Sequence, residues 1–194
     1  MSDGGRVIAG SAAGLRLMAP GPATRPFADR VKQTLFAILE PDLPGAAVLD
    51  LFAGSGAGGI EALSRGAARV VFVDRDAAAI RTIRENLRRA DLGADADVRP
   101  GDALAYVRNQ GLLDEPFDLV LVDPPYAETA LLLEALRLVS ERRLVRPGGR
   151  VVAKHFWRET LPDEVGLLRS ERSRRFGETA LTFYRAAIGG DPGT

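Results

Sequence analysis

Apolar runs and amphipathic segments alternate along most of the chain. The runs "AAVLDL", "RVVFVD" and "FDLVLV" are short and apolar, and each ends close to glycine, aspartate or proline, which is typical of buried parallel strands. Residues 76–89 carry apolar side chains at helical spacing, with arginines on the other faces, and Gly93 is placed to end this helix. This alternation predicts an α/β fold with helices on both faces of a parallel sheet.

The C-terminal part continues this pattern and then changes it. A helix is predicted from about Thr129 to Arg143, and "PGGRVVAKHF" then predicts another strand. Two β-rich stretches joined at Phe176-Gly177 are interpreted as an antiparallel hairpin that closes the sheet edge. The predicted architecture is Rossmann-like and doubly wound, with a mostly parallel seven-stranded sheet that ends in this C-terminal antiparallel hairpin.

A different pattern precedes the first buried strand. Short β-like runs surround a glycine turn within residues 6–20, and a helix with an apolar stripe follows. We expect an N-terminal lobe of a β-hairpin and a helix over residues 1–44, a main domain over 45–188, and a frayed tail over 189–194.

Composition excludes several classes of protein. The 194 residues are 46% hydrophobic and 27% charged, and no apolar stretch approaches the roughly 18 residues that a membrane span needs. No secretory signal is visible, so we expect a cytoplasmic protein. Without cysteine and with one histidine, disulfides, thiolate catalysis and cysteine- or multi-histidine metal sites are excluded, and we expect no metal. The formal net charge is zero, so affinity for nucleic acid must come from local patches.

The turn after the first strand, Phe52 to Gly56, is rich in glycine. Together with Gly59 it has the spacing G-x-G-x-x-G, which is typical of dinucleotide-binding folds, although strand-to-helix turns need glycine in any case. Asp50 argues against a dinucleotide as the ligand, because a carboxylate at this strand end would repel a pyrophosphate. S-adenosylmethionine has no phosphate and carries an ammonium and a sulfonium. The sequence therefore favours a methyl donor at this glycine turn.

Four acidic residues fall at the ends of four successive predicted strands: Asp50, Asp74, Asp102 and Asp123. Ligands of open α/β sheets bind along this edge. We expect Asp74 to accept hydrogen bonds from both ribose hydroxyls of the donor, and Asp102 to accept one from its adenine amino group. Each acid alone is more typical of a solvated loop, so the prediction depends on all four.

The fourth acid begins the stretch "DPPY", Asp123 to Tyr126. Hydrogen bonds from an exocyclic amine to the Asp123 carboxylate and the Pro124 carbonyl would make its nitrogen more nucleophilic and align it with the methyl group. Pro124 and Pro125 stiffen the loop. Tyr126 offers a ring for a stacked base, a contact worth about 1–3 kcal/mol. These four residues are the predicted catalytic loop.

The motifs together resemble a known family. "DLFAGSG" and "DPPY" are similar to class I S-adenosylmethionine-dependent amino-methyltransferases of nucleic acids. "TRPFADRVKQTLFAIL" and "RRFGETALTFY" narrow the resemblance to the bacterial family that methylates the exocyclic N2 of one guanine in small-subunit (16S) rRNA. The likeness extends from about Arg6 to Arg185. It implies 16S rRNA as partner, within a 30S subunit or an assembly intermediate, and we expect a monomer.

The resemblance also implies residue roles. The methyl donor would be held by residues along the strand ends: Asp50, Phe52, Ala53, Gly54, Gly56, Asp74, Arg75, Asp102, Ala103 and Asp123. RNA would contact the N-terminal lobe and the catalytic loop: Arg6, Arg16, Arg25, Arg30 and Tyr126. The chain departs from the family at Phe27, where a hydroxyl residue is usual, at Lys154, where glutamate is frequent, and in the less basic turn "GSAAG".

Other functions stay open from the sequence. A nicotinamide-dependent dehydrogenase would use the same glycine spacing, and a non-catalytic RNA-binding protein could have kept the fold. Methyltransferases of protein glutamine and of DNA adenine carry similar "[DN]PP[YF]" loops. We interpret His155 as packed or solvated rather than as a base, Trp157 as a cover over the sheet, and the arginines of residues 142–146 and 172–175 as solvated.

Overall fold

The computed structural model describes residues 3–21, 29–110, 115–125 and 128–188. The chain forms two compact units, Met1–Asp102 and Ala103–Thr194. Each contains parallel strands and the helices that connect them, so the predicted α/β class is confirmed. Within the described ranges, no helix is long and apolar enough to cross a membrane.

Three parallel strands form the centre of the first unit. They are β3 (Ala47–Leu51), β4 (Arg69–Asp74) and β5 (Ala96–Pro100), and β4 lies between the other two. Helices α2 (Ala57–Ser64) and α3 (Ala77–Ala90) connect them. The apolar side chains of β3 and β4 are almost wholly buried, as strands covered on both faces require.

Helix α3 shows how local sequence determines helix ends. Asp76 is the N-cap, and its carboxylate accepts a hydrogen bond from the Ala78 N–H at 2.8 Å. The prediction that Gly93 ends this helix was wrong. The helix ends at Ala90 because Asp91 adopts the left-handed conformation, with φ of 56°, which short polar side chains tolerate better than most.

The N-terminal segment forms the predicted hairpin and helix. Strand β1 (Asp3–Arg6) pairs antiparallel with β2 (Arg16–Met18), and α1 (Asp29–Leu39) follows. A short 3-10 helix, Glu40–Asp42, comes before β3. Helix α1 buries Val31, Leu35, Phe36 and Leu39. The division of the chain at residue 44 stays a prediction.

The second unit contains a mixed set of strands. Strand β6 (Phe117–Val122) is parallel to β7 (Val145–Phe156), which pairs antiparallel with β10 (Thr179–Ala186). Strand β10 also pairs antiparallel with β9 (Leu168–Phe176). The predicted C-terminal hairpin is thus confirmed, and Gly177, with φ of 61°, lies in its turn.

Strand β8 (Glu164–Val165) was not predicted from the sequence. It pairs with the first residues of β9, and with it the described part of the chain has eight strands outside the N-terminal hairpin, against the seven predicted. Two residues are too few to give a periodic pattern. Helices α4 (Ala103–Asn109) and α5 (Thr129–Glu141) complete this unit and pack against each other.

Candidate active site

The glycine turn between β3 and α2 has a backbone that few sequences adopt. Phe52, Gly54 and Gly56 have φ of 62°, 57° and 77°. Glycine adopts this region readily, whereas for phenylalanine it is a strained conformation. Gly56 is the N-cap of α2, so its conformation determines where that helix begins. Strained residues are enriched at ligand-binding sites, which agrees with the role that the sequence predicts for this turn.

Two of the predicted donor-binding acids bond to the glycine turn and to the start of helix α2. Asp50 is only 4% exposed, and its Oδ2 accepts a hydrogen bond from the Gly59 N–H at 2.8 Å. Asp74 accepts from the Gly54 N–H at 2.8 Å and from the Asp76 N–H at 2.9 Å, one on each oxygen. Each oxygen of Asp74 has a second lone pair, so these two bonds leave Asp74 acceptor capacity for a ligand.

The third glycine of the spacing serves packing. A Cβ atom on Gly59 would lie 2.2 Å from Cε1 of Phe72, which is wholly buried on β4. Only glycine lets α2 approach the strand this closely. The G-x-G-x-x-G pattern therefore combines two turn glycines with one glycine at a helix–strand contact.

The remaining predicted donor contacts differ in exposure. Arg75 and Asp102 are exposed. The Gly101 N–H donates to the Asp74 carbonyl at 2.9 Å, so Asp102 follows a residue that is bonded to the end of β4. Ala53 is buried, and its N–H donates to the Val73 carbonyl at 3.1 Å. Ala103 is buried in the first turn of α4.

Sequence reasoning missed Asn86, a wholly buried residue of α3. Its Nδ2 donates to the carbonyls of Ser55, at 2.9 Å, and Met18, at 3.0 Å, and its Oδ1 accepts from the Met18 N–H at 2.8 Å. An amide directly before buried Leu87, on the apolar side of an amphipathic helix, is the signal that could have found it.

In the second unit, Asp123, Pro124 and Pro125 follow β6 directly. Strand register places Val122 opposite Ala153, which makes Asp123 and Lys154 neighbours on parallel strands. Lys154 Nζ donates to Asp123 Oδ2 at 2.7 Å, and the two side chains are 12% and 27% exposed. This ion pair was not predicted, although Lys154 was a visible departure from the family pattern.

The prolines of the loop differ in burial. Pro124 is buried, whereas Pro125 is exposed, and its carbonyl accepts from the Glu128 N–H at 3.0 Å before α5 begins. Tyr126 lies outside the described residues, so its stacking role stays a prediction.

The arginines expected to contact RNA lie on the surface where the structure describes them. Arg6, Arg16 and Arg30 are exposed, and Arg6 forms an ion pair with Asp29 at 2.9 Å. Arg25 lies outside the described residues. Exposure is required for a contact with phosphate, but it is equally typical of solvated side chains.

A buried ion pair anchors the N-terminal hairpin to α2. Glu61, which is wholly buried, accepts hydrogen bonds from the N–H groups of Ile8, at 2.7 Å, and Ala9, at 3.0 Å. Lys32, also wholly buried, lies 3.7 Å from the Glu61 carboxylate and donates to the Arg6 carbonyl. Burial lowers the pKa of the Lys32 ammonium from its usual 10.5. A lone glutamate in the apolar helix "AGGIEALS" was the available signal.

Two further side chains of the second unit are packed or stacked. His155 is 7% exposed; its Nε2 lies 2.9 Å from Thr182 Oγ1 and its Nδ1 lies 3.0 Å from the Phe156 carbonyl. This low exposure makes His155 a packed residue, one of the two environments expected from the sequence, and its burial lowers the pKa of the imidazole. Trp157 is half-buried, with the guanidinium of Arg175 3.5 Å from its ring centroid.

Comparisons with known proteins cover most of the chain. The family model described as "Conserved hypothetical protein 95" matches residues 5–185. "Putative rRNA methyltransferase YlbH" of Bacillus subtilis (strain 168) is 40% identical over 181 residues, which are 93% of this chain and 98% of that protein. "Ribosomal RNA small subunit methyltransferase D" of Escherichia coli (strain K12) is 32% identical over 187 residues, 96% of this chain and 92% of that protein. The solved structure "Putative methyltransferase yhhF from Escherichia coli" has a TM-score of 0.83 and 31% identity, and the match covers 97% of this chain and 100% of that one.

Proposed function

The chain belongs to the family described as Conserved hypothetical protein 95, and on that basis we propose that it transfers a methyl group from S-adenosylmethionine to the exocyclic N2 of a guanine in small-subunit (16S) rRNA. It has a Rossmann-like fold of the class I methyltransferases and is an S-adenosylmethionine-dependent rRNA methyltransferase. The observation that carries the proposal is the similarity to two relatives named as rRNA methyltransferases, 40% and 32% identical over 93% and 96% of this chain. The choice of the guanine N2 as the methylated atom is the more specific part of this proposal. It is supported by the sequence motifs "TRPFADRVKQTLFAIL" and "RRFGETALTFY", which lie before and after the methyl-donor motifs.

The residues of the glycine turn fit S-adenosylmethionine. Asp74 bonds to the Gly54 N–H of this turn and Asp50 to the Gly59 N–H in the first turn of α2. Carboxylates suit hydroxyl and cationic groups and would repel a pyrophosphate. The left-handed Gly54 and Gly56 let the backbone approach a ligand closely. When bound, the donor supplies a methyl carbon attached to a positively charged sulfur. We propose that Asp50, Asp74 and Asp102 bind it together with the glycine turn, and that Arg75, Ala103 and Asp123 contribute to the same binding.

The catalytic loop is proposed to hold the acceptor amine. One hydrogen of the amine bonds to the Asp123 carboxylate and the other to the Pro124 carbonyl, which frees the nitrogen lone pair for the methyl carbon. Lys154 occupies Oδ2 of Asp123 and leaves Oδ1 for the amine. As the bond between nitrogen and methyl carbon forms, the carbon–sulfur bond would break and S-adenosylhomocysteine would leave, and the surplus proton would pass from the nitrogen to water or Asp123. Tyr126 is proposed to stack on the base.

The N-terminal lobe is proposed to bind the RNA backbone. Arg6, Arg16 and Arg30 are exposed, and guanidinium groups form paired hydrogen bonds with phosphate; Arg25 is proposed to join them. The expected partner is a 30S subunit or an assembly intermediate, bound by a monomer in the cytoplasm. The methyltransferase names of the relatives argue against a nicotinamide-dependent dehydrogenase.

Methyl transfer in vitro tests this proposal. The protein is incubated with S-adenosylmethionine carrying a labelled methyl group and with 16S rRNA or 30S subunits from cells that lack its gene. We expect label in N2-methylguanosine, and a rate at least about 100-fold lower for Asp123→Ala, because a preorganised acceptor is lost. Asp95→Asn, which changes an exposed carboxylate elsewhere, is the control and keeps the rate. Label in another nucleoside would contradict the assignment to guanine N2. Absence of label in both 16S rRNA and 30S subunits would rule out 16S rRNA as the substrate.

A further inference from the structure

Asn86 connects the N-terminal hairpin to the glycine turn, two segments of the first unit that are proposed to bind different ligands. Its side chain bonds to both backbone groups of Met18, in strand β2 of the N-terminal hairpin, and to the carbonyl of Ser55, in the glycine turn. These three bonds link residues 68 and 31 positions apart in the chain. The hairpin is the proposed RNA contact, and the turn is the proposed donor contact.

The Asn86 side chain links two backbone segments by hydrogen bonds and does not only fill space in the core. Both hydrogens of its amide are used, and they go to carbonyls of two separate segments. Its side chain has no exposed surface, so water cannot replace a broken bond. Ser55 lies between Gly54 and Gly56, the two left-handed glycines that give the turn its shape. A shift of Met18 is therefore opposed by the peptide that the donor is proposed to contact.

A second attachment of the hairpin does not include the turn. Ser64, near the C-terminal end of α2, accepts from the Ala12 N–H at 2.9 Å and donates to the Ala9 carbonyl at 2.6 Å. The glycine turn lies before the other end of that helix. Loss of the Ser64 hydroxyl would loosen the hairpin without freeing the turn, which gives a matched control for Asn86.

We propose that Asn86 is a positioning residue that couples the RNA-contacting hairpin to the methyl-donor turn, so that each ligand strengthens the binding of the other. The inference rests on the proposed function. A ligand that orders one segment lowers the entropic cost of ordering the other, which gives positive coupling without a change of fold. Couplings of this kind change affinity by about 5–150-fold, and the factor is the same in both directions.

The test measures affinity for S-adenosylhomocysteine, a non-reactive product, by equilibrium dialysis with and without saturating 30S subunits. In the wild type we expect subunits to raise the affinity at least about fivefold. In Asn86→Leu, which keeps the branched shape of the side chain but has no amide, the factor by which subunits raise the affinity falls toward one. In Ser64→Ala it is retained. If the effect of 30S subunits on S-adenosylhomocysteine affinity is lost equally in both variants, or is absent in the wild type, the inference is overturned.

Hydrogen exchange provides a test that needs no variant. S-adenosylhomocysteine alone should slow exchange of the Met18 amide, which donates to Asn86, and leave the amides of β9 unchanged. An unchanged Met18 amide with the ligand bound would contradict the coupling. Failure of the proposed function is distinguishable, because the subunits would then not bind or not be methylated, whereas failure of the coupling leaves both ligands bound independently.

Discussion

At the scale of single residues, the ion pair of Lys154 with Asp123 has the most direct chemical consequence. A carboxylate can rotate about its last bond, and an ammonium 2.7 Å from Oδ2 favours one orientation. Both side chains are largely shielded from water, so solvent screens this pair less than it would an exposed one. Lys154 is therefore proposed to aim the remaining oxygen at the acceptor amine.

Replacement of Lys154 tests this role. Lys154→Met keeps most of the length of the side chain but removes its charge. We expect the rate of a single turnover to fall about tenfold, with little change in affinity for 30S subunits. Lys154→Arg keeps the charge and should recover part of the rate. A single-turnover rate that Lys154→Met leaves unchanged would show that the pair only stabilises the fold.

Two glycines of one motif should respond differently to the same substitution. Gly59→Ala places Cβ against the ring of Phe72, so we expect the free energy of unfolding to fall by about 1–3 kcal/mol. Gly54→Ala meets no atom closer than 4.0 Å but stands at φ of 57°, so it strains the turn by about 1–2 kcal/mol and should weaken donor binding. Urea unfolding and titration with S-adenosylhomocysteine measure the two effects. A loss of donor affinity confined to Gly59→Ala would contradict these roles.

At the scale of secondary-structure elements, the hairpin docks on α2 through close backbone contact. A Cβ atom on Gly10 would lie 1.7 Å from the Ser64 carbonyl oxygen, which leaves no room for any side chain. The Ser11 N–H also donates to that carbonyl, at 2.8 Å. The position of the hairpin thus depends on one glycine as well as on the buried Glu61.

Gly10→Ala should displace the hairpin and weaken binding to 30S subunits, by about tenfold if one or two phosphate contacts are lost. Gly14→Ala is a matched control, because Gly14 has nearly the same φ, 84° against 87°, and no atom within 4 Å of its Cβ position. Both variants share the backbone strain, so only the docking clash differs. Filter binding measures the affinities, and equal affinities for the two variants would mean that docking of the hairpin does not matter for RNA.

At the scale of the whole molecule, the stability of the fold should depend on the protonation of its one histidine. Burial lowers the pKa of His155 from 6.5, so the unfolded chain takes up a proton at a higher pH than the folded chain does. As pH falls through about 6.5 toward the folded pKa, protonation favours unfolding. We expect urea unfolding of the wild type to show lower stability at pH 5.5 than at pH 7.5, and a smaller loss for His155→Gln. If the wild type and His155→Gln lose the same stability between pH 7.5 and pH 5.5, His155 is not the cause of the pH dependence.

Elements that follow from local sequence patterns were predictable, whereas contacts between residues far apart in the chain were not. The strands of the parallel part, the hairpin turn at Gly177 and the glycine turn follow from local patterns, whereas the two-residue strand β8 does not. The bonds of Asn86 to Met18 and of Glu61 to Ile8 span 68 and 53 residues, and no periodicity signals them. The pairing of Lys154 with Asp123 needs the register of β6 and β7, which contains an irregularity between Phe117 and Leu119.

Nucleoside mass spectrometry of 16S rRNA tests most directly the proposed methylation of a guanine N2 atom in that RNA. Cells that lack the gene should lose N2-methylguanosine at one position. A plasmid that carries the wild-type gene should restore it, and one that carries Asp123→Ala should not. Undiminished N2-methylguanosine at every position in the deletion strain would contradict the account.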